Sequence, residues 1–213
     1  MNGNKNTVIF DFDGTIADTL KPLIQIVNSL SDEYKFEKIT PQNQEELRAL
    51  RGREVLKKSK IPFWKVFFFV RKVRKLLFEK IKSIEAFPGI SSVVNFLRAE
   101  EIKVYAVSTN SKENIQTFFN QHKIAIDHIY ITRFIFSKSR AINRMLSKEK
   151  VDPAKAIYIG DEVSDYEACK KSGVDFIAVT WGFNSVAAFE KVNPRYLANT
   201  PKELFEILEK LIV

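Results

Sequence analysis

The sequence predicts an α/β fold: a parallel sheet covered by helices on both faces, interrupted once by an all-helical insertion. Two observations carry this. Short β-branched and aromatic runs alternate with helical patterns along most of the chain, the order expected of parallel strands joined by crossover helices. Between Ala17 and about Ala86 the alternation stops, and only helix signals remain.

The elements follow in chain order. Thr7–Phe12 is a compact apolar run and reads as the first strand. Ile102–Val107, Ile129–Thr132, Ala156–Ile159 and Val174–Val179 read as four more. Helical spacing marks Ser91–Glu100, Lys112–Gln121, Arg140–Lys148 and Ser164–Lys171, with a last helix near Lys202–Leu211. Inside the insertion the clearest helix is Pro62–Lys82, where Phe63, Val66, Phe67, Val70, Val73, Leu77 and Ile81 recur at helical intervals and predict a buried face. Pro88-Gly89 punctuates the return to the sheet. The division expected is a core of residues 1–16 and 87–213 and a helical lobe of residues 17–86.

Composition narrows the function classes. At 213 residues, 45% hydrophobic and 28% charged, the chain is long and apolar enough to bury a sizeable core. A single cysteine, Cys169, leaves no internal disulfide and fits a reducing compartment. Met1–Asn6 is short and polar and lacks a signal-peptide pattern, so the cytoplasm is expected. Ile61–Val70, the most apolar run, is too short to span a bilayer and includes Lys65, so no membrane partner is expected. The net charge of +8 is unevenly spread: Arg51–Lys82 holds twelve Lys/Arg against two Asp/Glu, and the remainder is slightly acidic. The basicity belongs to one segment, and nucleic acid is not the expected partner. Phe63, Trp64, Phe67, Phe68 and Phe69, which lie among these basic residues, are expected to form the packing core of the insertion.

The chemistry sits at strand ends. Asp11-Phe12-Asp13-Gly14-Thr15 closes the first strand, where alternation would turn Asp11 and Asp13 to the same side and Phe10 and Phe12 into packing. Two carboxylates so close repel each other unless a cation intervenes, usually a divalent one. The second strand ends in Ser108-Thr109-Asn110 before a helix, which supplies a hydroxyl and free N–H groups for phosphate, although the same residues also make an ordinary helix cap. The fourth ends in Gly160-Asp161-Glu162-Val163-Ser164-Asp165, an acidic set suited to magnesium or to a helix N-terminus. Lys138, in Phe136-Ser137-Lys138-Ser139, opens the helix after the third strand and offers a cation for phosphate. In open parallel sheets ligands bind at the carboxyl ends of the strands, so these stations converge on one place.

Together these residues closely resemble the haloacid dehalogenase-like superfamily, in particular its phosphoglycolate-phosphatase-like branch. The resemblance runs from Val8 to the Trp181-Gly182 turn. It identifies Asp11–Thr15 with the family's Asp-x-Asp-Gly-Thr, Ser108 with its strand-ending Ser or Thr, Lys138 with its Lys, and Gly160, Asp161 and Asp165 with its Gly-Asp-x-x-x-Asp. Many relatives have Lys-Pro where this chain has Lys138-Ser139, and Arg140 is the alternative cation.

The resemblance implies a Rossmann-like core with a helical cap at 17–86, and a Mg2+-dependent phosphatase acting on a small phosphorylated metabolite. Asp11 would be the nucleophile, forming an aspartyl-phosphate. Asp13 would be the acid/base, which disfavours a dehalogenase, since that reaction has no leaving alcohol to protonate. The metal would be held by Asp11, the Asp13 carbonyl, Asp161 and Asp165. Thr15, Ser108, Thr109, Asn110 and Lys138 would hold phosphate oxygens. A sugar-phosphate mutase would share Asp11 and Asp13, and a binding protein using the basic cap is the other alternative. The expected assembly is a monomer or homodimer. His122, His128 and Cys169 are expected to be incidental to the chemistry.

Overall fold

A computed structural model describes residues 5–132 and 138–212. Phe136 and Ser137, which precede Lys138 in the third station, lie outside the described residues, as do residues 1–4 and Val213.

Six strands form one parallel sheet: β1 (Thr7–Phe10), β2 (Lys103–Ser108), β3 (His128–Ile131), β4 (Ala156–Gly160), β5 (Asp175–Val179) and β6 (Tyr196–Ala198). Their spatial order is β3-β2-β1-β4-β5-β6, and each neighbouring pair is parallel. The chain builds outward from β1 to β3 on one side, then crosses back to lay β4 on the other side of β1. The carboxyl end of β1 is therefore the switch point of the sheet, where crossovers diverge and leave a crevice.

Alternation along the strands divides the apolar residues between two faces. Val8, Phe10, Val104, Ala106, Ile157, Ile159, Ile177 and Val179 share one core with α6 (Ile90–Ala99), α7 (Lys112–His122) and α11 (Pro201–Ile212). Ile9, Tyr105, Val107, Tyr158, Phe176 and Ala178 share the other with α8 (Lys138–Glu149) and α9 (Val163–Ser172). In α11 the i, i+4 series Leu204, Leu208 and Ile212 is buried, each side chain contributing roughly 1.5–3 kcal/mol. Gly173 ends α9 in the left-handed conformation, at φ 69°.

Between β1 and α6 the named elements are all helical: α1 (Leu20–Ser29), α2 (Ser31–Tyr34), α3 (Pro41–Arg48), α4 (Gly52–Lys58), α5 (Phe63–Lys80) and a 3-10 turn at Ile81–Ser83. The chain leaves and re-enters at adjacent points. Phe87 N–H donates to the Ile16 carbonyl at 3.0 Å, Asp18 N–H donates to the Glu85 carbonyl at 2.9 Å, and Ala17 and Ala86 form an antiparallel bridge.

Three sequence expectations change. β1 stops at Phe10, so Asp11 and Asp13 are presented by a turn and not by one face of a strand. Gly14, at φ 77°, gives that turn its left-handed residue. A sixth strand and the helix α10 (Val186–Glu190) extend the core beyond the elements the pattern predicted. The third change concerns α5, whose buried residues are Phe69, Val73 and Leu77, while Phe63, Trp64, Phe67 and Phe68 are exposed. The helix is apolar on nearly every side of its first half, so periodicity alone does not choose the face.

Candidate active site

The site is assembled at the switch point. Asp11 follows β1, and its N–H still donates to the Ile159 carbonyl at 2.8 Å, which fixes it between β1 and β4. Its carboxylate is buried; Oδ1 accepts from the Phe12 N–H at 2.8 Å, and Oδ2 accepts from Lys138 Nζ at 2.7 Å. Phe12 points into the core against Phe118 and Phe119 and anchors the turn from below.

Asp13 is held from the second strand. Asn110 Nδ2 donates to both of its carboxylate oxygens, at 3.2 and 3.1 Å. Asn110 is itself fixed, because its Oδ1 accepts from the Ser111 N–H and from Asn114 Nδ2, each at 2.7 Å. Burial and the Asp11 charge push the Asp13 pKa up to about 7, outweighing the Asn110 hydrogen bond. A carboxyl so poised exchanges protons near neutral pH. The Asn110 side chain thus positions Asp13, a role the sequence did not reveal, while its N–H donates to Ser108 Oγ at 2.9 Å. Ser108 is buried at the end of β2, and Thr109 beside it is half-buried.

Three buried carboxylates converge. Oxygens of Asp11, Asp161 and Asp165 lie within 4.8 Å of one another. Asp161 is oriented by the Thr15 hydroxyl at 2.8 Å and by the Phe183 N–H at 2.7 Å. Thr15 is fully buried and directs its hydroxyl to Asp161, so in this conformation it positions Asp161 and does not itself face a substrate. Burial first, then the Asp11 charge, push the Asp161 carboxyl well above the ordinary range. Asp165 is also raised by burial and by Asp11, although Lys138 opposes the shift.

Lys138 Nζ bridges Asp11 and Asp165 from the start of α8. Burial disfavours its charge, but the two carboxylates overcome this and push its pKa well up. Arg140 is exposed, and the cation brought to the site is Lys138. Within the triad, three carboxylates face one ammonium and leave two negative charges when ionised. An all-oxygen donor set with that excess fits a hard divalent cation such as Mg2+. The Asp13 carboxylate lies outside this triad.

A second loop closes around Asp161. A Cβ on Gly182 would overlap Asp161 Oδ2 and the Gly14 carbonyl, so only glycine lets the loop approach so closely. Trp181 Nε1 donates to the Thr15 carbonyl at 3.2 Å. Arg48, from α3, donates to the Thr180 and Gly182 carbonyls at 3.1 and 3.0 Å. In return Asn184 Nδ2 donates to the Arg48 and Leu50 carbonyls at 2.9 and 2.8 Å. The helical insertion is thus fastened to the loop that supports Asp161.

One cation of the insertion bears on Asp13. The half-buried Arg74 of α5 has its pKa lowered by burial, while the Asp13 charge acts in the opposite direction. Arg51 forms an ion pair with Glu167 at 3.0 Å, and Arg53 is exposed. His122 packs on Phe118, and His128 on Tyr130, both outside the cluster. Cys169 is buried in the second core, where burial pushes its thiol well up.

The comparisons agree with this geometry. The family model for haloacid dehalogenase-like hydrolases matches residues 8–179. A phosphoglycolate phosphatase of Synechococcus elongatus is 28% identical over 96% of this chain and 98% of its own. The pyrophosphatase PpaX of Bacillus mycoides is 22% identical over 97% of this chain and 98% of its own. The crystal structure of a predicted phosphatase from Clostridium acetobutylicum superposes with a TM-score of 0.84 at 17% identity, covering 98% of this chain and 100% of that one. With an Asp-x-Asp turn at the switch point, a lysine-bridged acid cluster and a family match that spans both, the chain belongs to the haloacid dehalogenase-like hydrolases.

Proposed function

We propose that this hydrolase removes phosphate from a small phosphate monoester in a Mg2+-dependent reaction, with Asp11 as nucleophile and Asp13 as acid and base. The observation that carries the reading is the pairing of two carboxyl groups two residues apart with opposite environments. Asp11 is held against Lys138 at 2.7 Å, while Asp13 is driven toward a pKa of about 7. Such a pair suits nucleophilic attack by one group and proton transfer by the other.

In this mechanism Asp11 Oδ attacks phosphorus and the ester oxygen leaves with the proton of Asp13, giving an aspartyl-phosphate. Asp13 then takes a proton from the water that cleaves it. Asp11, Asp161, Asp165 and the Asp13 carbonyl would hold Mg2+, which supplies charge neutralisation for an anionic nucleophile approaching an anionic phosphoryl group. Lys138, the Ser108 hydroxyl and the Thr109 N–H would take the phosphoryl oxygens, with the Asn110 N–H orienting Ser108 Oγ. We assign residues 17–86 as a cap over a core of 1–16 and 87–213. Arg74 is the cap cation best suited to a second anionic group on the substrate, as phosphoglycolate would carry. The cytoplasm is the compartment we propose, on the single buried cysteine.

Phosphate release from a panel of small phosphomonoesters, with Mg2+ or with a chelator, tests this. Metal-dependent release by the wild type and none by Asp11→Asn is the expected result. Interconversion of isomeric sugar phosphates without release would point to a mutase instead.

A further inference from the structure

Helix α5 is apolar on the side away from its own core. Phe63, Trp64, Phe67 and Phe68 are 91%, 68%, 62% and 56% exposed, whereas Phe69, Val73 and Leu77 are buried. The exposed residues are contiguous. Phe63 and Phe67 continue at four-residue intervals into Arg71 and Lys75, and Trp64 and Phe68 form the neighbouring row that ends in Lys72. The Phe67 and Phe68 rings meet edge-on at 5.6 Å, and Lys65 Nζ sits 5.1 Å from the Trp64 ring. Four large aromatic side chains left together in water mark an interaction surface.

Charge identifies the kind of surface they meet. Arg51–Lys82 carries twelve basic residues against two acidic ones. Lys58 and Lys72 are engaged by Glu46 and Glu33, but Lys57, Lys60, Arg71 and Lys75 have no carboxylate partner among the described residues. A second copy docking on this face would bring two such basic segments together. An anionic bilayer accepts both features, since Trp and Phe settle at the headgroup boundary while Lys and Arg meet lipid phosphates. No described helix is long and apolar enough to cross a membrane, and lying on one requires no span.

We propose that the N-terminal half of α5, with its flanking lysines and arginines, docks this protein on anionic lipid surfaces. None of the four aromatic residues belongs to the catalytic cluster, so the proposal does not depend on the phosphatase reading.

Co-sedimentation of the full-length protein with vesicles tests it. Vesicles of phosphatidylcholine containing about a third phosphatidylglycerol should retain roughly tenfold more protein than phosphatidylcholine alone, and added salt should weaken the binding. The Phe63→Ser/Trp64→Ser/Phe67→Ser variant and the Arg71→Glu/Lys75→Glu variant should each lose this preference, with circular dichroism confirming their fold. Equal recovery with both vesicle types, or undiminished binding by either variant, overturns the proposal. So does a concentration-dependent dimer that the aromatic variant abolishes, which would assign the face to a second copy. Tight binding of a single-stranded oligonucleotide without vesicle binding would assign it to nucleic acid.

Discussion

Lys138 and Asp11 lie 127 residues apart in sequence, yet their side chains meet at 2.7 Å and both are almost wholly buried. Neither charge is stable there alone. Removing one member of a buried pair leaves the other uncompensated, at a cost of about 3–5 kcal/mol. Lys138→Met should therefore lower Tm sharply in metal-free buffer, because Asp11 and Asp165 both lose their counter-charge. Mg2+ should restore part of the loss. Turnover should fall roughly 10²–10³-fold, the scale of removing one donor to the transition state. Thermal melts with and without Mg2+ would check the first expectation, and steady-state kinetics the second.

On the proposed mechanism Asp13 should set the alkaline limb of the pH profile. It must be protonated to donate to the leaving oxygen, so kcat should fall as pH rises through its pKa of about 7. A cation bound beside Asp11 offsets one cause of that upward shift, which moves the limb to lower pH. Asp13→Asn should abolish the limb and cost about 10²–10⁴-fold with an alkyl phosphate. The loss should be much smaller with p-nitrophenyl phosphate, whose leaving group needs no proton. Equal losses with both esters would remove Asp13 from the acid role.

Metal binding should stabilise the fold more at alkaline than at acid pH. The carboxyls of Asp13, Asp161 and Asp165 are all raised above their ordinary values. A raised acid retains in the folded state a proton that the unfolded chain releases. Stability is then fullest at low pH and declines as pH climbs through the raised values. Mg2+ replaces those protons, so its effect on Tm should be small near pH 5 and larger near pH 8. A Tm gain independent of pH would mean that the ion binds elsewhere.

How far this site was legible in the sequence depends on how local each device is. Asp11, Asp13, Asp161 and Asp165 stood out because each pair lies within five residues at a strand end, and sheet topology brings strand ends together. Asn110 is expected from the sequence as part of a phosphate cradle or a helix cap, and nothing nearby shows that its amide turns to Asp13 across 97 residues. The contact of Arg48 with Gly182, 134 residues away, had no local signal. β6 has only three residues, too few for alternation to register. In α5 the obstacle was an excess of signal: with apolar residues on several faces, spacing did not reveal that Phe69 is buried while Phe67 is exposed.

Arg48 offers a test of whether the insertion and the acid cluster act as one unit. Its guanidinium donates to the Thr180 and Gly182 carbonyls, and that loop supplies the Phe183 N–H to Asp161. Arg48→Ala removes both charged hydrogen bonds, each contributing about 1.5–3 kcal/mol. The expected outcome is weaker Mg2+ binding by calorimetry, although Arg48 touches no carboxylate of the triad. Unchanged metal affinity with a lowered Tm would confine Arg48 to a structural fastening.

Gly182 should prove the most exacting position in that loop. Any Cβ there would occupy the space of Asp161 Oδ2 and of the Gly14 carbonyl, both of which are fixed. Asp161 is locked by Thr15 and Phe183, and Gly14 by its turn, so the strain of Gly182→Ala must displace one of them. Displacing Asp161 moves a proposed ligand of the metal directly, and displacing Gly14 disturbs the turn that presents the Asp13 carbonyl. Gly173→Ala is the contrasting control, because Gly173 has a positive φ of 69° and its Cβ would meet only Pro153, at 3.7 Å, whereas Gly182 is constrained by close approach and not by a left-handed backbone. Both variants should be less stable, the control by about 1 kcal/mol for a side chain in the left-handed region. Only Gly182→Ala should weaken Mg2+ binding and turnover together. If the two variants lose stability alike and both retain full metal affinity, the close approach at Gly182 serves packing alone.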